Sequence, residues 1–285
     1  MDSLSRPDSL SQPDYLIIGH VTQDLTPEGF VIGGTASYAG MTAQALGCKT
    51  AVLTSAGPDF DPGEQLPGLS VHCIPAGQTT TFENIYTKAG RQQRIQGLAN
   101  PISFEQLPDG WQYAPIVHLA PIAGEFEPAN VIQNLANNQI GITPQGWLRK
   151  WDEAGNVSYT GWPADPAVLS LAAVLVLSEE DLPDEQALLP YRQAVSILVQ
   201  TKGRKGCTVF AGNEVRDFPA PAVQEVNPTG AGDIFAAAYF IRLYQTKGNP
   251  WEAARFANQV AAWSVTQRTL PEKIKAIKRM IQEYL

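Results

Sequence analysis

The sequence predicts an α/β fold with a mostly parallel central sheet and helices on both faces, and three observations carry that expectation. Short continuous apolar runs, such as residues 15–18 and 50–55, have the length and character of strands buried on both sides. Strand-like and helix-like segments alternate along much of the chain, the order that produces a parallel sheet with crossover helices. The last part, over residues 230–244, 250–267 and 271–285, reads as helix throughout.

At 285 residues the chain is long enough to bury a large core, and one domain over residues 15–285 is expected. Residues 1–14 repeat Asp-Ser-Leu-Ser-x-Pro and offer almost nothing to bury, so a mobile tail is expected there. The net charge of -8, spread along the chain, argues against nucleic acid or an acidic membrane surface as partner. Cys48, Cys73 and Cys207 are scattered and lack any CxxC spacing, which suggests neither a disulfide framework nor a zinc site and fits a reducing cytoplasm. No apolar run approaches membrane-spanning length, and the first residues show no basic segment followed by an apolar one. A soluble, cytoplasmic monomer or homodimer is expected.

Taken in order, residues 15–18 form an interior strand ending at Gly19, and a loop carries Asp24. Gly33-Gly34 then open a helix of small residues that Gly47 stops. Strands follow at 50–55 and 71–74. Residues 79–97 break the rhythm: Phe82, Ile85, Tyr86 and Ile95 lie on two β-like arms around Lys88-Ala89-Gly90-Arg91, a hairpin placed to act as a lid. The alternation resumes with strands at 116–120, 140–143, 174–177 and 197–199, a helix at 128–137, and a hairpin pairing 208–211 with 215–218 around Gly212-Asn213. Neither GxGxxG nor GxxxxGK[ST] occurs, so a nucleotide site must be built without the two commonest fingerprints.

The stretch Val226-Asn227-Pro228-Thr229-Gly230-Ala231-Gly232-Asp233 carries the chemistry. Pro228 ends what precedes it, Thr229 is a natural helix cap, and the glycines let backbone N–H groups approach an anion where a helix begins. Asp233 falls in the first turn of that helix, where its carboxylate can take a proton from a hydroxyl attacking a phosphorus held there. Alone, the stretch also fits a glycine-started core helix with an ordinary first-turn Asp.

This segment resembles the C-terminal signature of the ribokinase-like (pfkB) carbohydrate kinases, and three further places match that pattern in order. The resemblance covers about residues 15–285 and implies a ribokinase-like three-layer fold with a reduced β lid. It also implies transfer of the γ-phosphoryl group of ATP, with Mg²⁺, to a hydroxyl of a small sugar or polyol. Asp233 would be the base, and the backbone of Gly230, Ala231 and Gly232 would stabilise the transferring group. Gly19-x-x-x-x-Asp24 resembles the strand-end Asp that holds substrate hydroxyls, a carboxylate being a bidentate acceptor for a vicinal diol. Gly33-Gly34 resembles the glycine pair that lies against the substrate. Thr201-Lys202-Gly203-Arg204-Lys205-Gly206 is similar to the turn that receives the nucleotide, implicating Thr201, Gly203 and Gly206, with Asn258 near the adenine. Lys202, Arg204 and Lys205 add local positive charge that can steer ATP.

The sequence also departs from the family. Tyr38 stands where an Asn commonly binds sugar hydroxyls, and only residues 25–32 separate Asp24 from the glycine pair, so the first lid strands are expected to be nearly absent. The Gly-Gly-x-Ala-Ser-aromatic pattern, with Gln145 and Arg149 in Thr143-Pro144-Gln145-Gly146-Trp147-Leu148-Arg149, is more similar to the myo-inositol kinase branch. Gln145 and Arg149 are accordingly taken as acceptor contacts. Ser178-Glu179-Glu180-Asp181 occupies the place of the Asn-x-x-Glu motif, so Asp181 would meet Mg²⁺ through water. Asn227 replaces an Asp, and residues 265–271 run quickly into the last helix, which implies a degraded monovalent-cation loop. The alternatives are a nucleoside kinase, favoured if Tyr38 or Phe82 stacks a base, and a binding protein that kept the fold and lost turnover. His20, His72 and His118 lack metal-ligand spacing and are expected to be packing or surface histidines.

Overall fold

The computed structural model describes residues 12–27, 29–87 and 90–284. The chain begins with β1 (Tyr15–Ile18), β2 (Thr22–Thr26), β3 (Gly29–Gly33), α1 (Thr35–Ala45), β4 (Thr50–Ala56), α2 (Pro62–Gln65) and β5 (Ser70–Pro75). There follow β6 (Thr80–Thr87), β7 (Gly90–Gly97), β8 (Ile116–Leu119), α3 (Pro128–Asn134), β9 (Gln139–Ile142), β10 (Arg149–Trp151) and β11 (Val157–Tyr159). The rest is α4 (Pro166–Leu169), β12 (Val174–Ser178), α5 (Leu189–Ala194), β13 (Ile197–Thr201), β14 (Cys207–Ala211) and β15 (Glu214–Phe218). Three long helices close the chain: α6 (Ala231–Gln245), α7 (Pro250–Val265) and α8 (Leu270–Tyr284).

Among the described residues nine strands form the main sheet, in the order β15-β14-β13-β12-β9-β8-β1-β4-β5. All neighbours are parallel except β14 and β15, which fold back as an antiparallel hairpin at one edge. The whole of β1 is buried, because both faces are covered. One face packs against α1, α6, α7 and α8, and the other against α3, α4, α5 and the Trp111, Phe126 and Tyr191 rings. Helix α6 is buried from Ile234 to Ile241 without interruption, since α7 covers the side that the sheet leaves open. Each of its larger apolar side chains contributes roughly 1.5–3 kcal/mol by leaving water. Lys247, with φ 53, and Gly248, with φ 90, end this segment. Asn249 then starts α7 by accepting from the N–H groups of Trp251 and Glu252.

Helix α8 has an amphipathic pattern in which Leu270, Ile274, Ile277 and Met280 are buried. Lys273 lies on the same stripe and is 0% exposed.

A second sheet of four strands has the order β3-β2-β6-β7. The hairpin expected over residues 79–97 is its β6–β7 pair, and the turn residues Lys88 and Ala89 lie outside the described residues. The expectation that strands between Asp24 and the glycine pair are nearly absent is corrected: β2 and β3 pair in full register, from Thr22 with Gly33 to Thr26 with Gly29. Asp24 therefore lies within a strand and not in a loop. The sequence reading also passes over the β10–β11 hairpin, whose turn accepts Ile95 N–H on the Gly155 carbonyl at 2.9 Å. At the other end, two residues of the expected tail make hydrogen bonds to the body. Asp14 exchanges hydrogen bonds with Lys49 and Gln12 donates to the Tyr113 carbonyl at 2.6 Å, while residues 1–11 lie outside the described residues.

Candidate active site

A small pocket of about 80 Å³ opens beyond the carboxyl ends of β9, β12 and β13, the side on which open α/β sheets bind ligands. Thr143 follows β9, Ser178 ends β12, Thr201 ends β13, and Thr35, Gln145, Asp181 and Asp233 complete the polar lining. Ser178 and Thr201 are register partners, so the two strand ends are level.

Asp233 sits in the first turn of α6 and accepts a 2.7 Å hydrogen bond from the Thr35 hydroxyl. Burial pushes its carboxyl up to about 6, the Thr35 bond works against that, the Asp181 and Asp24 carboxylates add to it, and Arg149 lowers it. Asp181, Arg149 and Asp24, expected at the site from three separate segments, thus all act electrostatically on Asp233, although only Asp181 shares the lining of the pocket with it. A carboxylate with this affinity is largely ionised at neutral pH yet basic enough to accept a proton usefully.

Gly230 precedes α6 in the left-handed region, with φ 76 and ψ 2. A Cβ there would lie 2.1 Å from Cδ1 of Tyr38, so the aromatic ring occupies the space that the absent side chain leaves. The expected capping by Thr229 is corrected: no side chain caps this helix, and the Thr229 N–H instead donates to Asn227 Oδ1 at 2.9 Å. The Ala231 N–H is engaged by the Pro228 carbonyl at 3.0 Å. The next amides, of Gly232 and Asp233, belong to the first helical turn and have no intrahelical acceptor, and Gly232 lines the pocket. An uncapped N-terminus with small residues suits an anion.

On the other side of the pocket, α1 begins at Thr35 immediately after Gly34. Gly33 lies under the Asp24 carboxylate, where a Cβ would be 2.8 Å from Oδ2. Tyr38 is one turn beyond Thr35, 6% exposed, and its phenol is pushed up by burial and by the negative charges of Asp233 and Asp24. Tyr38 therefore stays protonated and forms a wall. Phe82 is only 2% exposed and packs in a cluster with Ile95, Ile122 and Ala123, so neither ring presents an open face for stacking a base.

Asp181 closes a capping box with Ser178, accepting the Ser178 N–H on Oδ2 at 2.9 Å. Gln145 donates to its Oδ1 at 3.3 Å. Among the described residues no three His, Cys, Asp or Glu side chains gather as a metal cage. Asp181, beside Asp233 in the pocket lining, fits Mg²⁺, which keeps most of its waters.

The turn from Lys202 to Gly206 is closed by Lys202 N–H donating to the Gly206 carbonyl at 2.7 Å. Its positive charge is less available than the sequence suggests, because Arg204 makes two 3.0 Å bonds to Glu225 and Lys205 lies 3.5 Å from Glu179. Asn258 departs from expectation more clearly. It is 5% exposed, and its amide donates to the Phe218 carbonyl at 3.0 Å, which ties α7 to the end of β15. The structure does not bring it to the pocket.

Thr35 and Thr143 are absent from the sequence-based list. The signal for Thr35 is its place directly after the glycine pair, which puts it in the first helical turn. Thr143 is hydrogen-bonded at 2.9 Å to His118, whose imidazole burial pushes down to about 3, a neutral packing histidine as expected. A larger groove of about 630 Å³ runs between Leu98 and Trp151 and contains none of the expected site residues.

The family model described as pfkB family carbohydrate kinase matches residues 171–275, which include the β12–β13 strand ends, the Lys202–Gly206 turn and Asp233. A nucleoside kinase from Methanothermobacter thermautotrophicus is 30% identical over 88% of this chain and 85% of its own length. An inositol 3-kinase from Oryza sativa subsp. japonica is 27% identical over 96% of this chain and 75% of its own. A solved pyrophosphate-dependent kinase in the ribokinase family, complexed with a pyrophosphate analog and myo-inositol, superposes with a TM-score of 0.77 at 23% identity. The match covers 92% of this chain and 99% of that one. With the nine-stranded sheet, its smaller companion sheet and the pocket at the strand ends, these likenesses place the chain in the pfkB family of ribokinase-like carbohydrate kinases, phosphotransferases that act on a hydroxyl group.

Proposed function

We propose that this kinase transfers the γ-phosphoryl group of ATP to a hydroxyl of a small polyol or sugar, with an inositol as the first acceptor to test. The observation that carries this reading is the Asp233 carboxyl, raised to about 6, bonded to Thr35 and set in the first turn of an uncapped helix. Asp233 takes the acceptor proton as the oxygen attacks. The Gly232 and Asp233 N–H groups receive the charge that builds on the transferring group, an electrostatic effect that needs no rearrangement at the moment of reaction. Thr35 orients the base. Mg²⁺, met by Asp181 through water, would neutralise charge on the donor phosphates. Thr201 and the Gly203 and Gly206 backbone hold the donor, and Asp24, Gly33, Gly34, Gln145 and Arg149 form the acceptor side. Tyr38 bounds that side as a wall.

The burial of Tyr38 and Phe82 favours a polyol over a nucleoside, although one relative is named a nucleoside kinase and another a cytidine kinase. A cytoplasmic setting fits three unpaired thiols, and among the described residues no helix is long and apolar enough to cross a membrane. Phosphate transfer measured over inositols, pentoses, hexoses and nucleosides, each with ATP and with pyrophosphate as donor, tests the reading. Transfer to an inositol or sugar from ATP is expected. Transfer to nucleosides alone, or from pyrophosphate alone, would replace the acceptor or the donor.

Asp24→Ala tests the acceptor side separately. Removing a carboxylate that accepts hydroxyl hydrogen bonds should raise the acceptor KM about 10-fold or more, since charge-assisted bonds contribute about 1.5–3 kcal/mol. The donor KM should stay within about 2-fold, and steady-state kinetics with each substrate varied in turn would expose equal effects, which would remove Asp24 from the acceptor site.

A further inference from the structure

Lys273 is a cation on the apolar stripe of α8, among Leu270, Ile274, Ile277 and Met280, and it is 0% exposed. Burying an ammonium costs several kcal/mol unless its donors are well placed, and a leucine or methionine would fill this position without that cost. Its Nζ donates to the Asn227 carbonyl at 2.6 Å. Burial pushes the amine down to about 8, opposed by the Glu225 carboxylate, so it is charged at neutral pH.

The carbonyl it holds belongs to the turn that leads into α6. Asn227 Nδ2 donates to the Arg268 carbonyl at 2.7 Å, and Asn227 Oδ1 accepts the Thr229 N–H at 2.9 Å. The Val226 and Asn227 N–H groups both donate to the Val265 carbonyl, at 2.8 and 3.0 Å. Pro228 then accepts from Ala231 at the helix start. The turn is thereby stapled to the α7–α8 junction, and the staple contains one buried charge. Glu225, the residue before this turn, is the partner of Arg204 in the Lys202–Gly206 turn, so these two turns are also joined.

We propose that Lys273 is a positioning residue for phosphoryl transfer, its buried ammonium serving as a covalently held monovalent cation that fixes the 226–230 turn and with it the backbone N–H groups at the start of α6. The proposal rests on the reading of that helix end as the phosphoryl site. Because the cation is part of the chain, the wild-type enzyme needs none from solution.

The test compares wild type, Lys273→Met and Lys273→Ala in ammonium, potassium and sodium chlorides at matched ionic strength. Wild-type kcat should be the same in all three salts. Lys273→Met keeps the volume and removes the charge; its kcat should fall about 10²-fold, the scale on which small misplacements act, with the acceptor KM changed less than about 3-fold. Lys273→Ala leaves room for a small cation, so ammonium should raise both its kcat and its melting temperature saturably, while sodium should not. Several-fold potassium activation of the wild type, a near-normal kcat in Lys273→Met, or an ammonium response absent from Lys273→Ala would each overturn the proposal. Pyrophosphate binding, followed by calorimetry, separates this inference from the kinase reading. Wild type that binds pyrophosphate at least about 10-fold more tightly than Lys273→Met supports the cation's role even if no acceptor is phosphorylated, and equal binding refutes it.

Discussion

Asp233→Asn is expected to lower kcat by about 10²- to 10⁴-fold, the usual contribution of a positioned base, while the protein folds normally and donor affinity holds or improves. The wild-type rate should also fall about tenfold per pH unit below about 6, where the Asp233 carboxyl takes up a proton, and the Asn variant should lose that limb. Stability moves in a direction that distinguishes the base from a helix-capping Asp. The folded-state affinity lies above the ordinary 3.8, so the stabilising contribution of this group is full below 3.8 and is lost as pH rises through about 6. At neutral pH the ionised carboxylate weighs against the fold, and its replacement by a neutral amide should leave the melting temperature unchanged or higher. An Asp serving only the helix dipole would instead cost about 0.3–1 kcal/mol on substitution and spare turnover. Near-normal kcat with a lowered melting temperature would therefore refute the proposed role.

Gly230→Ala should be nearly as damaging to activity and far worse for stability. A residue with a side chain pays about 1–2 kcal/mol to adopt the left-handed conformation found there, with φ 76. The new methyl would also stand 2.1 Å from the Tyr38 ring, and such overpacking costs about 1–3 kcal/mol more. A fall in melting temperature of about 3–8 °C is expected for a chain of this size, with kcat reduced about 10²-fold as the N–H groups of α6 shift. Combining Gly230→Ala with Tyr38→Ala removes the clash but leaves a cavity, so the pair should be less destabilising than the two single variants added together, with little of the rate regained, since the backbone strain remains. A single variant that melts within about 2 °C of wild type would show that Tyr38 does not press on this turn.

The main sheet was legible because its strands are continuous apolar runs buried on both faces, and the long helices because each carries a helical period with clear start or stop residues. The β2–β3 and β10–β11 hairpins were not. Thr22–Thr26 and Arg149–Trp151 are polar or exposed in most positions, so pairing and not burial makes them strands, and pairing leaves no hydrophobic period to read. That Gln145, Asp181, Thr201, Gly232 and Asp233 share one pocket lining was readable from residue types in order along the chain, yet Asn258 shows the limit. An amide suited to a base is equally suited to a backbone carbonyl, and only packing tells that it bonds Phe218. Lys273 shows the converse. It resembles Lys275 and Lys278 in a basic helix, and its signal is phase: it shares the face of Leu270, Ile274 and Ile277, where a solvated lysine does not belong.

The all-round burial of α6 and the exposed outer strand of the smaller sheet divide the molecule into a conservative part and a permissive one. The proposed base, Asp233, rides on a helix with no face free to vary, whereas Asp24 lies in a sheet joined to β1 by residues 19–21 and to α1 by Gly34, with Phe30 and Val31 61% and 51% exposed on its outer strand. Surface substitutions of that kind usually change stability by less than about 0.5 kcal/mol. If Asp24 and Asp233 have the roles proposed for them, a lineage built this way would be free to exchange one alcohol for another by drifting in the small sheet, while the machinery that moves phosphorus would stay locked by its own packing.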